Sequence, residues 1–398
     1  MSERVLSVQC KPVPPHGLLT AFVALAFGGL FIGTGEFVSM SLLPDLAMSM
    51  GITIPEAGSY ISAYALGVVI GAPTIAIIAA RWPRKILLML LLALFSVGYT
   101  LSAFAWDHTV LLIGRFISGL PHGAYYGVAC LVAASLVDDN KKAQAAGYVM
   151  AGLAAANVVG VPIATWIGQH LGWRATFWTL TLSGLFTVGL FALFLPTMTP
   201  NHNASPRSEL SGLTQPLVWL TLATAAIGFG GMFAVYSYIT PTLTQVTGIQ
   251  INQVPMVLAL WGIGMVCGNL VGGRMADQNL IRAIFVIMVW NIASLALFSL
   301  LAFSLIGTLI TLFMIGCGFA LVPALQVRLM EVAGDAQTLA AALNHSAFNI
   351  SNAIGASLGG LSIAYGYGWA STGWVASGLA LFGLGLMSLS VLYQNKQS

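Results

Sequence analysis

The chain has 398 residues, 58% of them hydrophobic and 6% charged, and its 14 Lys and Arg against 11 Asp and Glu give a formal net charge of +3. A soluble domain carries roughly 25% charged residues, so this composition cannot cover a water-facing surface and excludes a soluble enzyme or binding module. The small positive excess sits in short loops between apolar stretches and does not form a nucleic-acid footprint.

A hydrocarbon core of ~30 Å takes about 20 apolar residues per helical crossing. Apolar stretches bounded by charges, Pro or Gly clusters predict twelve crossings, at 17–43, 55–80, 85–105, 108–136, 142–170, 174–196, 215–244, 251–276, 281–303, 305–332, 336–365 and 369–393. Residues 1–16 are polar, contain three prolines and run straight into span 1, so they read as a cytoplasmic tail rather than a cleaved signal peptide. Arg4 and Lys11 precede span 1, Arg81, Arg84 and Lys85 join spans 2 and 3, and Lys141 and Lys142 join 4 and 5. Arg207 lies between 6 and 7, Arg274 and Arg282 between 8 and 9, Arg328 near the 10–11 connection, and Lys396 at the end. The opposite loops hold little more than Arg174, so the positive-inside rule places both termini in the cytoplasm, which demands an even number of spans. The Asn-, Pro- and Ser-rich stretch 197–214 divides a first bundle, 17–196, from a second, 215–394. Cys130, Cys267 and Cys317 fall in apolar helices and Cys10 in the tail, a pattern without a disulfide framework.

The two bundles repeat each other. Gly67 and Gly71 recur as Gly264 and Gly268, Gly33 as Gly230, Pro44 as Pro241 and Gly119 as Gly316, all at an offset of 197 residues; Asn157-x-x-Gly160 recurs as Asn352-x-x-Gly355 at 195. A shared offset across so many pairs marks a duplicated unit, the plan of many transporters.

The charges left inside the spans are the first candidates for function, because an ionised group at mid-bilayer costs at least about 2.5–3.5 kcal/mol on insertion scales. Glu36 in span 1 and Arg115 in span 4 each sit about seven residues from the outer end, roughly 10 Å deep at 1.5 Å per residue. They form a pair if spans 1 and 4 are neighbours, either as a structural salt bridge or as a carboxylate that titrates under the arginine charge. His122 follows Arg115 by seven residues, on the same helical face, and reads as a proton relay or as a neutral hydrogen-bonding residue beside Pro121. His345, Phe348, Asn349 and Asn352 make a polar stripe on span 11, suited to a hydroxylated or heterocyclic substrate or to helix–helix contacts. Phe37, Tyr125, Tyr126, Asn157, Tyr236, Tyr238 and Trp261 are candidate cavity walls, with ordinary packing as the other reading. Gly147, Gly152, Gly160, Gly168 and Pro162 in span 5 and Gly355, Gly359 and Gly360 in span 11 permit close approach and local breaks, as two rocking bundles need. There is no His-Glu-x-x-His and no Gly-x-Ser-x-Gly sequence, so neither catalytic residues nor a metal site is expected.

These residues resemble the major facilitator superfamily over essentially the whole chain, and within it the bacterial drug, sugar and nucleoside efflux branch. The segment from Ala76 to Lys85, with Ala80, Arg81, Pro83 and Arg84, is similar to the family's G-x-L-A-D-R-x-G-R-K loop but has Ala80 for the Asp; the second copy, Gly273 to Asp277, keeps it. The departure leaves Asp277, near Arg282, as the place where the resemblance puts a charge lock. Leu112-x-x-Arg115-x-x-Ser118-Gly119 resembles the motif that holds the family's proton-linked cavity arginine. Asn157-x-x-Gly160-x-Pro162-x-x-Thr165 is similar to the antiporter motif, and Gly35-Glu36-Phe37 and Gly119-Leu120-Pro121-His122 look closest to arabinose-efflux- and chloramphenicol-efflux-like members. The resemblance implies an all-α integral membrane protein of twelve transmembrane helices in two pseudo-symmetric six-helix bundles. It implies proton-coupled efflux by alternating access in a bacterial inner membrane, by a monomer with no cofactor beyond the proton gradient and no nucleic-acid partner. A proton-coupled importer is the alternative, which the antiporter-like span 5 disfavours.

Overall fold

The computed structural model describes residues 15–79, 82–138, 142–198, 215–333 and 337–397. Arg81, the first fourteen residues of the tail and most of the 197–214 linker lie outside the described residues. Among the described residues twelve helical columns follow one another. In the first half they are α1 (Pro15–Ser41), α2 (Ser59–Ile78), α3 (Arg84–Ala103), α4 (His108–Gly119, resuming as His122–Ser135), α5 (Lys142–Ala155, resuming as Val161–Leu171) and α6 (Trp173–Phe194). In the second they are α7 (Pro216–Gly228, resuming as Gly230–Ser237), α8 (Val254–Gln278), α9 (Leu280–Leu301), α10 (Leu305–Cys317, resuming as Leu321–Ala333), α11 (Gln337–Ala364) and α12 (Ser371–Gln397). Among the described residues, 11 stretches are long and apolar enough to cross a bilayer. The column outside that set, α11, has the length at 28 residues but carries Asn344, His345, Ser346, Asn349, Ser351 and Asn352 along it. Its polarity reflects where it lies, between the two halves. The outer ring exposes Leu66, Ile70, Leu90, Val97, Leu182, Phe186, Val289, Leu381 and Leu389, an apolar belt suited to lipid.

The repeat has a steric cause. A β-carbon on Gly67 would run into the Phe116 carbonyl oxygen and one on Gly71 into that of Leu120. On the second half, Gly264 faces the Phe313 carbonyl oxygen and Gly268 that of Cys317. So α2 crosses α4, and α8 crosses α10, with backbones in contact, which small residues alone permit. The chain yields just beyond each crossing. Helix α4 breaks before Pro121 and α10 tightens into a single turn at Gly318–Ala320.

Helices α1 and α7 end alike. Leu42 (φ −98°, ψ 14°) closes α1 two residues before Pro44, and Tyr238 (φ −115°, ψ 23°) closes the second part of α7 three residues before Pro241. Short helices Leu43–Met50, Ile54–Ala57 and Ile239–Gln245 follow.

The halves meet along two related seams, α2 against α11 and α5 against α8. At the end remote from the chain termini they are bonded together. Thr240 Oγ1 donates to the Ser41 carbonyl at 2.6 Å, Ser62 and Ser357 hydroxyls lie 3.4 Å apart, and Phe37 stacks on Phe233 at 6.2 Å. The Tyr238 hydroxyl, donating to the Ala356 carbonyl at 2.7 Å, wedges against Gly58 of one half and Gly360 of the other, where no β-carbon would fit.

Candidate functional site

Glu36 lies near the end of α1 remote from the N-terminus, 6% exposed, and Arg115 on α4 is fully buried. The expected direct pair between them is not formed. Arg115 instead spends its guanidinium on the backbone beside the acid: Nη1 donates to the Gly35 carbonyl at 3.3 Å and to the Tyr99 hydroxyl at 2.8 Å, and Nε to the Tyr60 carbonyl at 3.5 Å. Tyr99 in turn donates to the same Gly35 carbonyl at 2.5 Å. Arg115 therefore grips α1 one residue before Glu36 and acts on the carboxylate through space. Its Nη2 is buried without a partner. The side chain that faces the Glu36 carboxylate is His122, with Nε2 to Oε2 at 3.7 Å, an ion pair only when the imidazole is protonated. The reason is the break in α4: His122 opens the second segment rather than continuing the first, so the seven-residue face argument does not set its direction.

Two tyrosines absent from the sequence reading complete the site. Tyr64 on α2 meets His122 Nδ1 with its hydroxyl at 2.9 Å, while the Arg115 guanidinium lies 4.4 Å from its ring centre. Tyr99 on α3 carries the Arg115 bond just described. The repeat carries a signal for Tyr64, which stands 197 residues before the candidate cavity residue Trp261.

His345 of α11 faces this group across the seam, 6.4 Å from His122 between ring centres and stacked on Tyr126 at 5.5 Å. Asn352 stands beside the Glu36 carboxylate, close enough to act on it, though neither of its side-chain polar atoms makes a hydrogen bond of ordinary geometry. Asn349 donates to the His345 carbonyl at 3.0 Å and Asn157 to that of Leu153 at 3.0 Å, and each leaves its amide oxygen buried and unpaired. Trp261 packs on Tyr236 at 4.8 Å and Tyr236 on Phe37 at 5.4 Å, with the indole N–H of Trp261 also unpaired. Buried polar atoms without partners are costly, and this set is what a polar solute would satisfy. Phe348 packs on Phe229 within the second half.

Other candidates stand elsewhere. Tyr125 is interior to the first half, stacked on Phe191 and bonded to the Leu25 carbonyl at 2.7 Å. Tyr238 belongs to the sealed end. Ala156–Gly160 form a π-turn ahead of Pro162, which has no N–H for the carbonyl one turn back; Gly160 packs on the Thr34 hydroxyl and the Asn157 backbone on Gly262 of α8. Lys85 caps α6, donating to the Ala192 and Leu195 carbonyls at 2.9 and 2.7 Å, and Arg84 reaches the Leu131 carbonyl at 3.5 Å. Among the described residues neither Asp277 nor Arg282 has an ion pair, so no charge lock forms there.

Twelve columns in two related halves, with titratable and unpaired polar groups gathered between them and lipid-compatible residues outside, define a multi-pass membrane transporter. The chain belongs to the Major Facilitator Superfamily, whose model matches residues 25–338. It is 38% identical over 351 residues to the inner membrane transport protein YdhP of Escherichia coli (strain K12), covering 87% of this chain and 90% of that one. It is 30% identical over 371 residues to a chloramphenicol resistance protein of Streptomyces lividans, covering 90% and 93%. In fold it resembles the crystal structure of a bacterial homolog of the human lysosomal transporter Spinster in an inward-facing, unoccupied conformation, with a TM-score of 0.71 at 14% identity, over 95% of this chain and 97% of that one.

Proposed function

We propose that this transporter exports a small neutral or modestly charged organic molecule, sugar-like or drug-like, across a bacterial inner membrane in exchange for protons. The observation that carries the reading is Glu36, the acid buried among Arg115, His122 and Asn352 where the two halves meet. Open to the outside, Glu36 takes a proton; the neutral site holds substrate less well, and substrate leaves. The neutral site then closes and reopens inward, where loss of the proton accompanies new binding. Coupling of this kind requires only that proton and substrate bias one two-state equilibrium in opposite directions. Positive charge concentrated in alternate loops supports cytoplasmic termini. The likeness to a chloramphenicol resistance protein supports export of drug-like solutes.

The test is proton release from purified protein near neutral pH on adding pentoses, nucleosides, phenicols or cationic drugs, with Glu36→Gln alongside. Release from the wild type and none from the variant is the expected result. A Glu36→Gln protein that releases protons as the wild type does sinks the assignment.

A further inference from the structure

The acid site contains a residue whose backbone place the repeat explains but whose hydroxyl neither the repeat nor the charge pattern does. Tyr64 is 1% exposed and fully enclosed, yet its hydroxyl has one bond only, to His122 Nδ1 at 2.9 Å. A buried phenol hydrogen left without an acceptor keeps its full desolvation penalty. The hydroxyl therefore donates to Nδ1, and a neutral imidazole that accepts at Nδ1 carries its own hydrogen on Nε2. Nε2 is the atom that faces Glu36 Oε2, at 3.7 Å. The opposite tautomer fails at both ends: it strands the Tyr64 hydrogen and points the Nε2 lone pair at a carboxylate.

We propose that Tyr64 is the positioning residue of this site: its hydroxyl locks His122 in the tautomer that turns Nε2–H toward Glu36, while its ring seats Arg115. One side chain on α2 thereby orients both hydrogen-bond donors beside an acid on α1, the Arg115 guanidinium and the neutral His122 ring. This rests on the reading of Glu36 as the proton-coupling group for its functional weight, though not for its geometry. The groups facing His122 come from every side: Glu36 from α1, Tyr64 from α2, Arg115 beyond the Tyr64 ring from α4, Tyr126 from its own segment, and His345 from α11. Of these, Tyr64 is the one that bonds Nδ1 and so selects which nitrogen holds the hydrogen. The consequence is an acid that, when ionised, is met by a donor already aimed at it, and, once protonated, no longer needs that donor.

Heavy-nitrogen NMR of histidine-labelled full-length protein reads the tautomer directly, with the His122 signal identified by its loss in His122→Gln. The wild type shows His122 protonated at Nε2. Tyr64→Phe keeps the ring under Arg115 and removes only the hydroxyl; it converts His122 to the Nδ1–H form or a mixture. In the same variant, the infrared carboxyl band of Glu36, identified with Glu36→Gln, changes its half-titration point by on the order of one pH unit. A merely structural tyrosine would lower stability and leave the tautomer alone. The proposal is overturned by an Nδ1–H imidazole in the wild type, or by an unchanged tautomer in Tyr64→Phe. If Tyr64→Phe does not fold, the wild-type tautomer still decides. No substrate enters either measurement, so a Glu36 that proves uncoupled in proton release leaves this test standing, and the two readings fail separately.

Discussion

Tyr64 and Trp261 hold the same place in the two halves, 197 residues apart, each with its carbonyl oxygen against the glycine, Gly119 or Gly316, of the helix it crosses. From that common frame their side chains part. Tyr64 is bonded to His122 and lies under Arg115, whereas Trp261 rests on Tyr236 with its indole N–H unpaired. The same division runs through the site. Glu36, Arg115 and His122 all belong to the first half, while the second contributes unpaired Asn349, Asn352 and Trp261 atoms together with His345. A duplicated scaffold has thus kept its backbone crossings and specialised its side chains, with the charges of the site in the first half and most of its unpaired polar atoms in the second.

Trp261→Phe tests the second role. The exchange keeps an aromatic face for Tyr236 and removes an N–H that bonds nothing in the protein. Its expected effect is a roughly tenfold loss of affinity for whichever probe solute binds, the worth of about one hydrogen bond, with the melting temperature changed little. Affinity unchanged against a lowered melting temperature would make Trp261 a packing residue. Isothermal titration with parallel thermal unfolding separates the two.

The crossings predict a graded glycine series. Gly67→Ala and Gly264→Ala place a methyl against a backbone carbonyl that cannot move aside cheaply, and overpacking of this kind costs about 1–3 kcal/mol. Gly127→Ala meets nothing within 4 Å, and in a helix it is neutral or stabilising. Thermal unfolding in one detergent gives the order: Gly127→Ala at or above wild type, the other two below it. Equal melting temperatures for all three would remove steric contact as the reason for the repeat.

Much of this was legible in the chain and some was not, for reasons that differ by residue. Span number followed from apolar runs, and even α11 was found, because its polar stripe leaves an apolar remainder. The glycine repeat was visible, and its meaning as paired backbone crossings needed only the partners. That the direct Glu36–Arg115 pair is not formed is not legible, because apolar runs give depth along two helices but not the rotation of either, nor the break at Pro121 that redirects His122. Tyr64 was hidden by chemistry: a tyrosine in an apolar run has no periodic signature that separates packing from hydrogen bonding. Asp277, matched to a motif, finds no cation, because a motif records residue types and not the approach of their side chains.

Lys85 illustrates the same point from the other side. Its family-like setting suggests gating, yet its ammonium group closes the carbonyl end of α6 through Ala192 and Leu195. A cation there complements the helix dipole and its orphan carbonyls. Lys85→Met, which keeps the aliphatic stem, should lower stability by about 1 kcal/mol, since the site is partly exposed. Lys85→Arg should recover most of it. Transport per folded molecule should stay near wild type in both; a severe transport loss in a fully stable Lys85→Met protein would return the residue to gating.

The sealed end provides a direct handle on alternating access. Ser62 of α2 and Ser357 of α11 come from opposite halves with hydroxyls 3.4 Å apart, next to the Tyr238 wedge and the Thr240–Ser41 bond. A sulfur pair at these positions falls within the reach of a disulfide, whose β-carbons lie about 3.8 Å apart. The double variant Ser62→Cys with Ser357→Cys, made without the other cysteines, should cross-link under mild oxidant and stop transport, and reductant should restore it. Each single variant should transport under both conditions, because the serine bond between them is weak and partly exposed. If the halves rock about the seam, this face must open once in every cycle, so a covalent bridge across it cannot be tolerated. Cross-linked protein that still transports at the wild-type rate would mean that the substrate path does not pass between Ser62 and Ser357, and that rocking about the α2–α11 seam is not how this transporter works.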